Sequence, residues 1–321
     1  MKFYFAPMEG VTGYLYRNVH HEFFPDVDRY YTPFIVANQS GNYKNREIND
    51  ILPENNKGLT IIPQILTNKA SDFLFTVDKI RSLGYEEINL NLGCPSGTVV
   101  SKGKGSGFLG RKDELRSFFE EVYATGEKDI SVKTRIGIDN PDEFMEIMQI
   151  YNDYPIKELT IHPRLQKDYY KNTPNLSVFK EALAIAKMPV CYNGDLFTLG
   201  DYERFHEQFP EVEAVMVGRG MLADPNLIGL MKNGTRLEKD VLRAFHDRIL
   251  SEYQQILSGD RNLLFKMKEL WFYMIHVFSD DGTYAKKIRK SQRLFEYLIA
   301  VDALFANEEL IEKKDLILSK N

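Results

Sequence analysis

Eight short β-rich runs recur before residue 220, and helical patterns separate most of them. The runs are Phe3–Ala6, Arg29–Thr32, Leu59–Ile65, Glu87–Leu92, Ile130–Thr134, Glu158–Ile161, Pro189–Tyr192 and Ala214–Val217. Ser71–Leu83 puts Phe73, Val77, Ile80 and Leu83 on one helical face. Asp113–Ala124 does the same with Leu115, Phe118, Phe119 and Val122. Pro141–Tyr151 opens with a proline in a first turn beside acids, a helix start. Strands joined through helices cannot form hairpins and pair in parallel through crossovers. Eight such units predict an α/β fold, a closed (β/α)8 TIM barrel. The open doubly wound sheet competes, but no Gly-x-Gly-x-x-Gly follows the first run.

The pattern changes near Thr235. Lys239–Leu257, Asn262–Phe278 and Arg289–Leu304 are amphipathic and helical, and no strand pattern remains. Residues 1–234 are thus expected to form the barrel and residues 235–321 a small all-helical C-terminal domain. The polar tail from about Asn307 is expected to fray. Lys286-Lys-Ile-Arg-Lys-Ser-Gln-Arg293 holds five bases and no acid. Such a run is commonly a solvated face. A basic helix appended to an acidic barrel is also a device for gripping phosphate backbones. Total charge gives no such sign, because the formal net charge is −5.

The chain has 2 cysteines, too few for a disulfide scaffold or a cysteine-rich zinc site, and no metal is expected. A free thiol suits a reducing compartment. No apolar run reaches the roughly eighteen residues of a membrane helix, and Lys2-Phe-Tyr-Phe5 lacks a signal-peptide pattern. A cytoplasmic monomer without membrane contact is expected.

Chemistry concentrates at the ends of the runs. The first ends Pro7-Met8-Glu9, the third at Gln64, the fifth at Lys133-Thr-Arg135 and the sixth at His162-Pro163-Arg164. The seventh ends Asn193-Gly194-Asp195 and the eighth Gly218-Arg219. Each alone has a bland reading. Asn-Gly-Asp is a common turn, a lone lysine snorkels, and a lone histidine is usually a hydrogen-bonded structural residue. Together they ring the carboxyl mouth of one barrel, where ligands bind. The last two loops and Arg219 suit a phosphate. Gln64 suits a planar heterocycle. Lys133 suits a ring that gains negative charge on reduction. The set describes flavin mononucleotide better than a sugar phosphate.

The fourth run leads through Asn91 into Gly93-Cys94-Pro95, where Pro95 ends the strand and leaves the thiol on a tight turn. A small buried cysteine is the default reading of a free thiol. Cys94 is nevertheless the candidate catalytic residue, because strand end, Gly-Pro corner and a glycine-rich, mobile loop at Gly103–Gly107 coincide. Cys191, inside the seventh run, is expected to fill core.

The chain resembles the tRNA-dihydrouridine synthases. The matching stretches are Ala6-Pro-Met-Glu-Gly-Val11, Asn91-Leu-Gly-Cys-Pro-Ser96, Val132-Lys-Thr-Arg-Ile-Gly137, Leu159-Thr-Ile-His-Pro-Arg164, Asn193-Gly-Asp195 and Val217-Gly-Arg-Gly220. Phe265-Lys-Met-Lys-Glu-Leu-Trp271 resembles the family's helical RNA-binding domain. Glu9 and Asp224-Pro-Asn-Leu227 lean towards the bacterial C-type branch. His162-Pro163-Arg164 departs from the usual His-Gly-Arg and removes one backbone donor. The resemblance implies reduction of a uridine in the tRNA D-loop to 5,6-dihydrouridine, with FMN as cofactor and NADPH as reductant. It implies flavin contacts from Pro7, Met8, Glu9, Gln64, Lys133, His162, Asn193, Gly194, Asp195, Gly218 and Arg219. It implies that Asn91 and Cys94 face the uracil, with Cys94 as the acid that protonates C5. Tyr170, Lys266, Lys268 and Arg289 are the expected tRNA contacts. Lys266 and Lys268 are two apart, so on a helix they diverge by about 200°. Three rivals remain. They are a small-molecule flavin oxidoreductase of the dihydroorotate or dihydropyrimidine type, a Schiff-base lyase using Lys133, and an inactive RNA-binding or folding protein that keeps flavin for structure.

Overall fold

The computed structural model describes residues 1–311. Its strands are β1 (Lys2–Phe5), β2 (Arg29–Tyr31), β3 (Ile35–Val36), β4 (Ile61–Ile62), β5 (Gln64–Leu66), β6 (Ile88–Leu92), β7 (Ile130–Arg135), β8 (Leu159–His162), β9 (Val190–Tyr192) and β10 (Ala214–Val217). Every pairing between them is parallel. β2 and β3 are one barrel strand interrupted around Pro33, and β4 and β5 are one strand interrupted at Pro63. Proline has no N–H for the ladder, so the pairing breaks there. The sheet order starts β3-β5 and ends β2-β4. Its two ends are therefore halves of the same two strands, and the sheet closes as the expected eight-stranded TIM barrel.

Alternation along β1 sorts the two sides of the wall. Phe3 and Phe5 join the main core under the outer helices, while Tyr4 and Ala6 point inward. Inside the barrel Tyr4, Ala6, Tyr31, Ile62, Cys191, Ala214 and Met216 form a cluster of their own. The outer helices include Ala70–Ser82, Lys112–Ala124, Glu143–Asn152 and Leu199–Gln208. The last begins at a reciprocal cap: Asp201 N–H donates to Thr198 Oγ1 at 3.1 Å and Thr198 N–H to Asp201 Oδ2 at 2.9 Å.

After Gly234, whose φ of +77° ends the helix Leu227–Asn233, the helices Lys239–Ile256, Asp260–Met274, Thr283–Lys290 and Leu294–Asn307 pack together. Phe245 docks them on the barrel, touching Tyr16, His20, Phe23 and Phe24. The helix expected over Arg289–Leu304 is two helices. Ser291 breaks it: its Oγ donates to the Ile288 carbonyl at 2.8 Å, and its own carbonyl accepts from Lys268 Nζ. Glu296 then accepts from the N–H groups of Gln292 and Arg293, which starts the next helix afresh. The tail does not fray where it is described. Leu310 bridges Phe278, and Ile311 N–H donates to the Val277 carbonyl at 2.8 Å. The rest of that expected tail, 312–321, lies outside the described residues. Among the described residues no helix is long and apolar enough to cross a membrane.

Candidate active site

A polar ladder crosses the upper barrel interior. Asn91 Nδ2 donates to Gln64 Oε1 at 2.6 Å, Gln64 Nε2 to Asn89 Oδ1 at 2.8 Å, and Asn89 Nδ2 to Ser131 Oγ at 3.0 Å. Such residues survive in a core only because each finds a partner. Asn91 Oδ1 also accepts from the N–H groups of Gly93 and Cys94, at 3.0 and 2.9 Å. Asn91 therefore shapes the Cys94 turn with its carbonyl oxygen, and only its NH2 group has capacity left for a ligand.

The loop after Cys94 differs from expectation. Gly105 and Ser106 are buried, as are Phe108 and Leu109. The Cys94 carbonyl accepts from Ser106 N–H at 3.1 Å and Ser106 Oγ at 2.9 Å. Gly105 has φ +57°, and a Cβ there would stand 2.7 Å from the Cys94 carbonyl oxygen. The glycines serve close packing, not mobility.

Cys94 opens onto a cavity of about 230 Å³ at the barrel mouth. Pro7, Met8, Glu9, Gln64, Asn91, Lys133, His162, Tyr170 and Arg219 also line it. Asn193, Gly194, Asp195 and Gly218 stand in the adjoining strand-end loops. Asn193 Nδ2 donates to the Met216 carbonyl at 2.7 Å. A Cβ at Gly194 would collide with the Tyr192 hydroxyl at 1.8 Å, so this position takes no side chain while Tyr192 keeps its place. Asp195 accepts from both Arg164 and Arg219, at 2.9 Å from Arg164 Nη1 and 2.6 Å from Arg219 Nη2. Arg219 lies over the rings of Tyr170 and Phe197, at 4.6 and 5.1 Å.

Lys266, Lys268 and Arg289 are not in this cavity. Lys266 Nζ donates to the Gly10 carbonyl beside the first barrel loop, whereas Lys268 Nζ donates to the Ser291 carbonyl within the helical part. Arg289 and Lys268 share a separate apolar groove floored by Trp271, Ile275 and Ile288.

Three residues at or behind the mouth had no assigned role in the sequence reading. Arg135 was only part of a motif string, yet it is buried and bonded to three backbone carbonyls. Arg164 is buried against Asp195. Tyr273 comes from the helical part and reaches the mouth, beside Tyr170 and Arg219. No local signal in the sequence marks that docking.

Electrostatics follow from burial. Cys94 is held above the ordinary thiol value, first by desolvation and then by Glu9; the Ser96 backbone, Arg135 and Lys133 pull the other way. The thiol is thus protonated at neutral pH. Burial, then Arg135, lowers Lys133 to about 8. His162 lies well below its ordinary value through burial and the four cations Arg135, Lys133, Arg164 and Arg219, so it is neutral. Its Nε2 faces Arg164 Nη1 at 3.0 Å and must accept, which leaves the proton on Nδ1.

The donor set fits a flavin nucleotide. Lys133 and Arg135 make no ion pair with any described residue, so the mouth carries cationic charge that an anionic group would balance. Gln64 and Asn91 offer amides to a planar heterocycle. Among the described residues no group of three acids, histidines or cysteines could hold a metal ion.

The family model for dihydrouridine synthase (Dus) matches residues 4–309. The chain belongs to the dihydrouridine synthase family. A probable tRNA-dihydrouridine synthase of Helicobacter pylori (strain J99) is 27% identical over 283 residues, 84% of this chain and 82% of that one. The tRNA-dihydrouridine(20a/20b) synthase [NAD(P)+] of Saccharomyces cerevisiae is 28% identical over 226 residues, 69% of this chain and 60% of its own length. Among solved structures, a variant of NCR from Zymomonas mobilis aligns with a TM-score of 0.52 at 15% identity, covering 76% of this chain and 90% of that one. Morphinone reductase aligns with a TM-score of 0.52 at 10% identity, covering 74% and 87%. These two show a shared fold. Family membership makes the chain an oxidoreductase of the tRNA-dihydrouridine synthase type.

Proposed function

We propose that the protein reduces the C5–C6 double bond of a D-loop uridine in tRNA, with FMN as its cofactor and NADPH as the reductant. Residues 1–234 form the catalytic domain in this reading, and residues 235–321 the tRNA-recognition domain. The observation that carries it is one cavity holding a protonated Cys94 thiol on one wall and the cations Lys133 and Arg135 beside it. Pro7, Met8, Glu9, Gln64, Lys133, His162, Asn193, Gly194, Asp195, Gly218 and Arg219 would hold the cofactor. When bound, FMN supplies the hydride that C6 of the uracil takes up, having been reduced by NADPH.

The chain's own residues do the rest. A hydride at C6 leaves negative charge at C5 and O4, so C5 needs a proton. Cys94 holds one at its Sγ at neutral pH and is the general acid. The free N–H of Asn91 binds the base edge. Lys133 stabilises negative charge in the cavity, because burial strengthens its field. Tyr170 and Tyr273 at the rim exclude water and offer faces to an unstacked base. Lys266, Lys268 and Arg289 grip the tRNA backbone outside the mouth.

The test begins with the purified protein. It should be yellow, with one FMN per chain, and should form dihydrouridine in D-loop positions of unmodified tRNA when given NADPH. A colourless protein that FMN cannot reconstitute would sink the cofactor assignment. Reduction of free uracil or orotate, with none of tRNA, would replace the substrate.

A further inference from the structure

Arg135 carries an unusual load for a buried cation. It leaves the end of β7 and sends its guanidinium sideways under two loops. Nε donates to the Gly93 carbonyl at 3.0 Å, Nη1 to the Leu165 carbonyl at 2.7 Å, and Nη2 to the Tyr169 carbonyl at 2.6 Å. Gly93 immediately precedes Cys94. Leu165 and Tyr169 belong to the loop after β8, which carries Tyr170. The guanidinium also lies 5.4 Å from the centre of the Tyr170 ring.

Tyr169 has φ +50°, one of two non-glycine residues described with a positive φ. Such a conformation persists only where the surroundings impose it. The Arg135 bond to the Tyr169 carbonyl is one such restraint. The Cys94 turn is held in the same way from several sides. Asn91 fixes its amides, Ser106 fixes the Cys94 carbonyl, and Arg135 fixes the Gly93 carbonyl.

A structural role alone would not require this residue. A buried guanidinium bonded to carbonyls, with no ion pair among the described residues, keeps in the interior a charge that Asp168 offsets only from a distance. What only arginine supplies is a planar fork that reaches three carbonyls at once. A lysine at this position reaches one.

We propose that Arg135 is a positioning residue, which locks the Cys94 turn and the Tyr169–Tyr170 loop into one rigid frame on β7 and so sets where the thiol stands against the base. The proposal rests on Cys94 as the proton donor of the proposed reaction. The frame is defined by this chain's own contacts and can be tested without turnover.

Three measurements test it. The first uses the wild-type protein and hydrogen exchange. Backbone amides of Gly93 and Cys94 and of residues 165–170 should open together, at rates within about tenfold of each other. Opening of the Tyr169 loop a hundredfold faster than the Cys94 turn overturns the shared frame. The second follows alkylation of Cys94 by iodoacetamide against pH, in Arg135→Lys and Arg135→Met. Glu9, Lys133, Arg135 and the Ser96 backbone face the thiol. Loss of the Arg135 charge should move the Arg135→Met profile to higher pH, while Arg135→Lys stays near wild type. Superimposable profiles for all three proteins overturn the placement of Arg135 against the thiol.

The third is turnover with tRNA. Arg135→Lys keeps the charge but loses the fork, so kcat should fall by about a hundredfold with KM for tRNA nearly unchanged. Guanidinium ion added to Arg135→Ala should restore part of that rate. Wild-type kcat in Arg135→Lys overturns the proposal. If the wild-type protein itself reduces no tRNA, the proposed function fails instead, and the exchange and alkylation results still decide the frame.

Discussion

At the amino end of the strands, Glu87 meets Arg29 at 3.2 Å and Lys157 at 3.3 Å, and Glu158 accepts from the hydroxyls of Tyr4 and Tyr31 at 3.0 and 3.3 Å. At the carboxyl end, Arg164 and Arg219 share Asp195, while Lys133 and Arg135 have no ion-pair partner among the described residues. Both ends bury charge in the same barrel, so burial is not what distinguishes them. Nor is space, because the void at the amino end, about 500 Å³, exceeds the one at the mouth. The difference is closure. One end sets its buried acids against cations and hydroxyls, whereas the other keeps the cations Lys133 and Arg135 beside a cavity with no ion pair among the described residues. An unmatched set of that kind calls for a ligand, and a matched set calls for nothing.

The largest effect separates the two cysteines, which stand at different depths of this barrel. Cys94→Ala should slow dihydrouridine formation by about 10²–10⁴, the range for a lost general acid, in single-turnover assays with reduced enzyme and tRNA. Cys191 is fully buried among Tyr4, Ala214 and Met216. Cys191→Ser should lower stability by about 1–3 kcal/mol in denaturant melts and leave turnover close to wild type. Equal turnover in the Cys94 variant and wild type would remove the thiol from the reaction. A slow Cys191 variant that melts normally would erase the contrast between mouth and interior.

Next comes the charge at the mouth. Arg219→Ala removes a cation that lies over Tyr170 and Phe197 and contacts Asp195. A charge-assisted phosphate contact contributes about 1.5–3 kcal/mol, so FMN affinity should fall about ten- to a hundredfold. Fluorescence titration of the flavin-free protein with FMN measures it. Unchanged affinity would mean that Arg219 serves Asp195 alone.

Much of the mouth was legible in the sequence because polar residues at strand ends have no use in a core. Gln64, Lys133, His162 and Arg219 were found by that reasoning, and the cavity at the mouth collects them. Arg135 and Arg164 were placed at the same strand ends but given no role. Their partners are carbonyls and a carboxylate on loops about thirty residues away, and nothing in a one-dimensional pattern announces such reach. The glycines of the Cys94 loop were read as mobility, because composition cannot distinguish freedom from close approach. The break at Ser291 was missed because amphipathic spacing continues across it, while the side chains that stop the helix act through local bonds.

A smaller effect tests the surface outside the mouth. Arg289 lies on the helix Thr283–Lys290 with Lys286, Lys287 and Lys290. Neutralising one true phosphate contact should reduce the slope of log affinity for tRNA against log salt by roughly one unit. Arg289→Ala should show that change while flavin binding stays as in wild type, which filter binding over a salt series would measure. An unchanged slope in the fourfold variant of Lys286, Lys287, Arg289 and Lys290 would make the basic run a solvated face.

The smallest effect belongs to the self-sufficient end. Burial, and then Glu87, raise Glu158 above the ordinary carboxylate range, although the Tyr4 and Tyr31 hydroxyls and Arg29 oppose this. A raised carboxylate binds its proton more tightly in the folded chain than in the unfolded one. Its stabilising contribution is therefore complete below the ordinary carboxylate value and is lost as pH rises through the raised one. At neutral pH an ionised Glu158 adds nothing that a neutral amide lacks, except a second acceptor for the tyrosines. Glu158→Gln should then be within about 1 kcal/mol of wild type at neutral pH, and wild type should gain on the variant as pH falls towards the carboxylate range. Urea melts at about pH 8 and about pH 5 compare the two. A loss of several kcal/mol at the higher pH would show that the ionised carboxylate is an indispensable counter-ion for Arg29. The amino end would then depend on charge as heavily as the mouth does, and closure would no longer be what divides them.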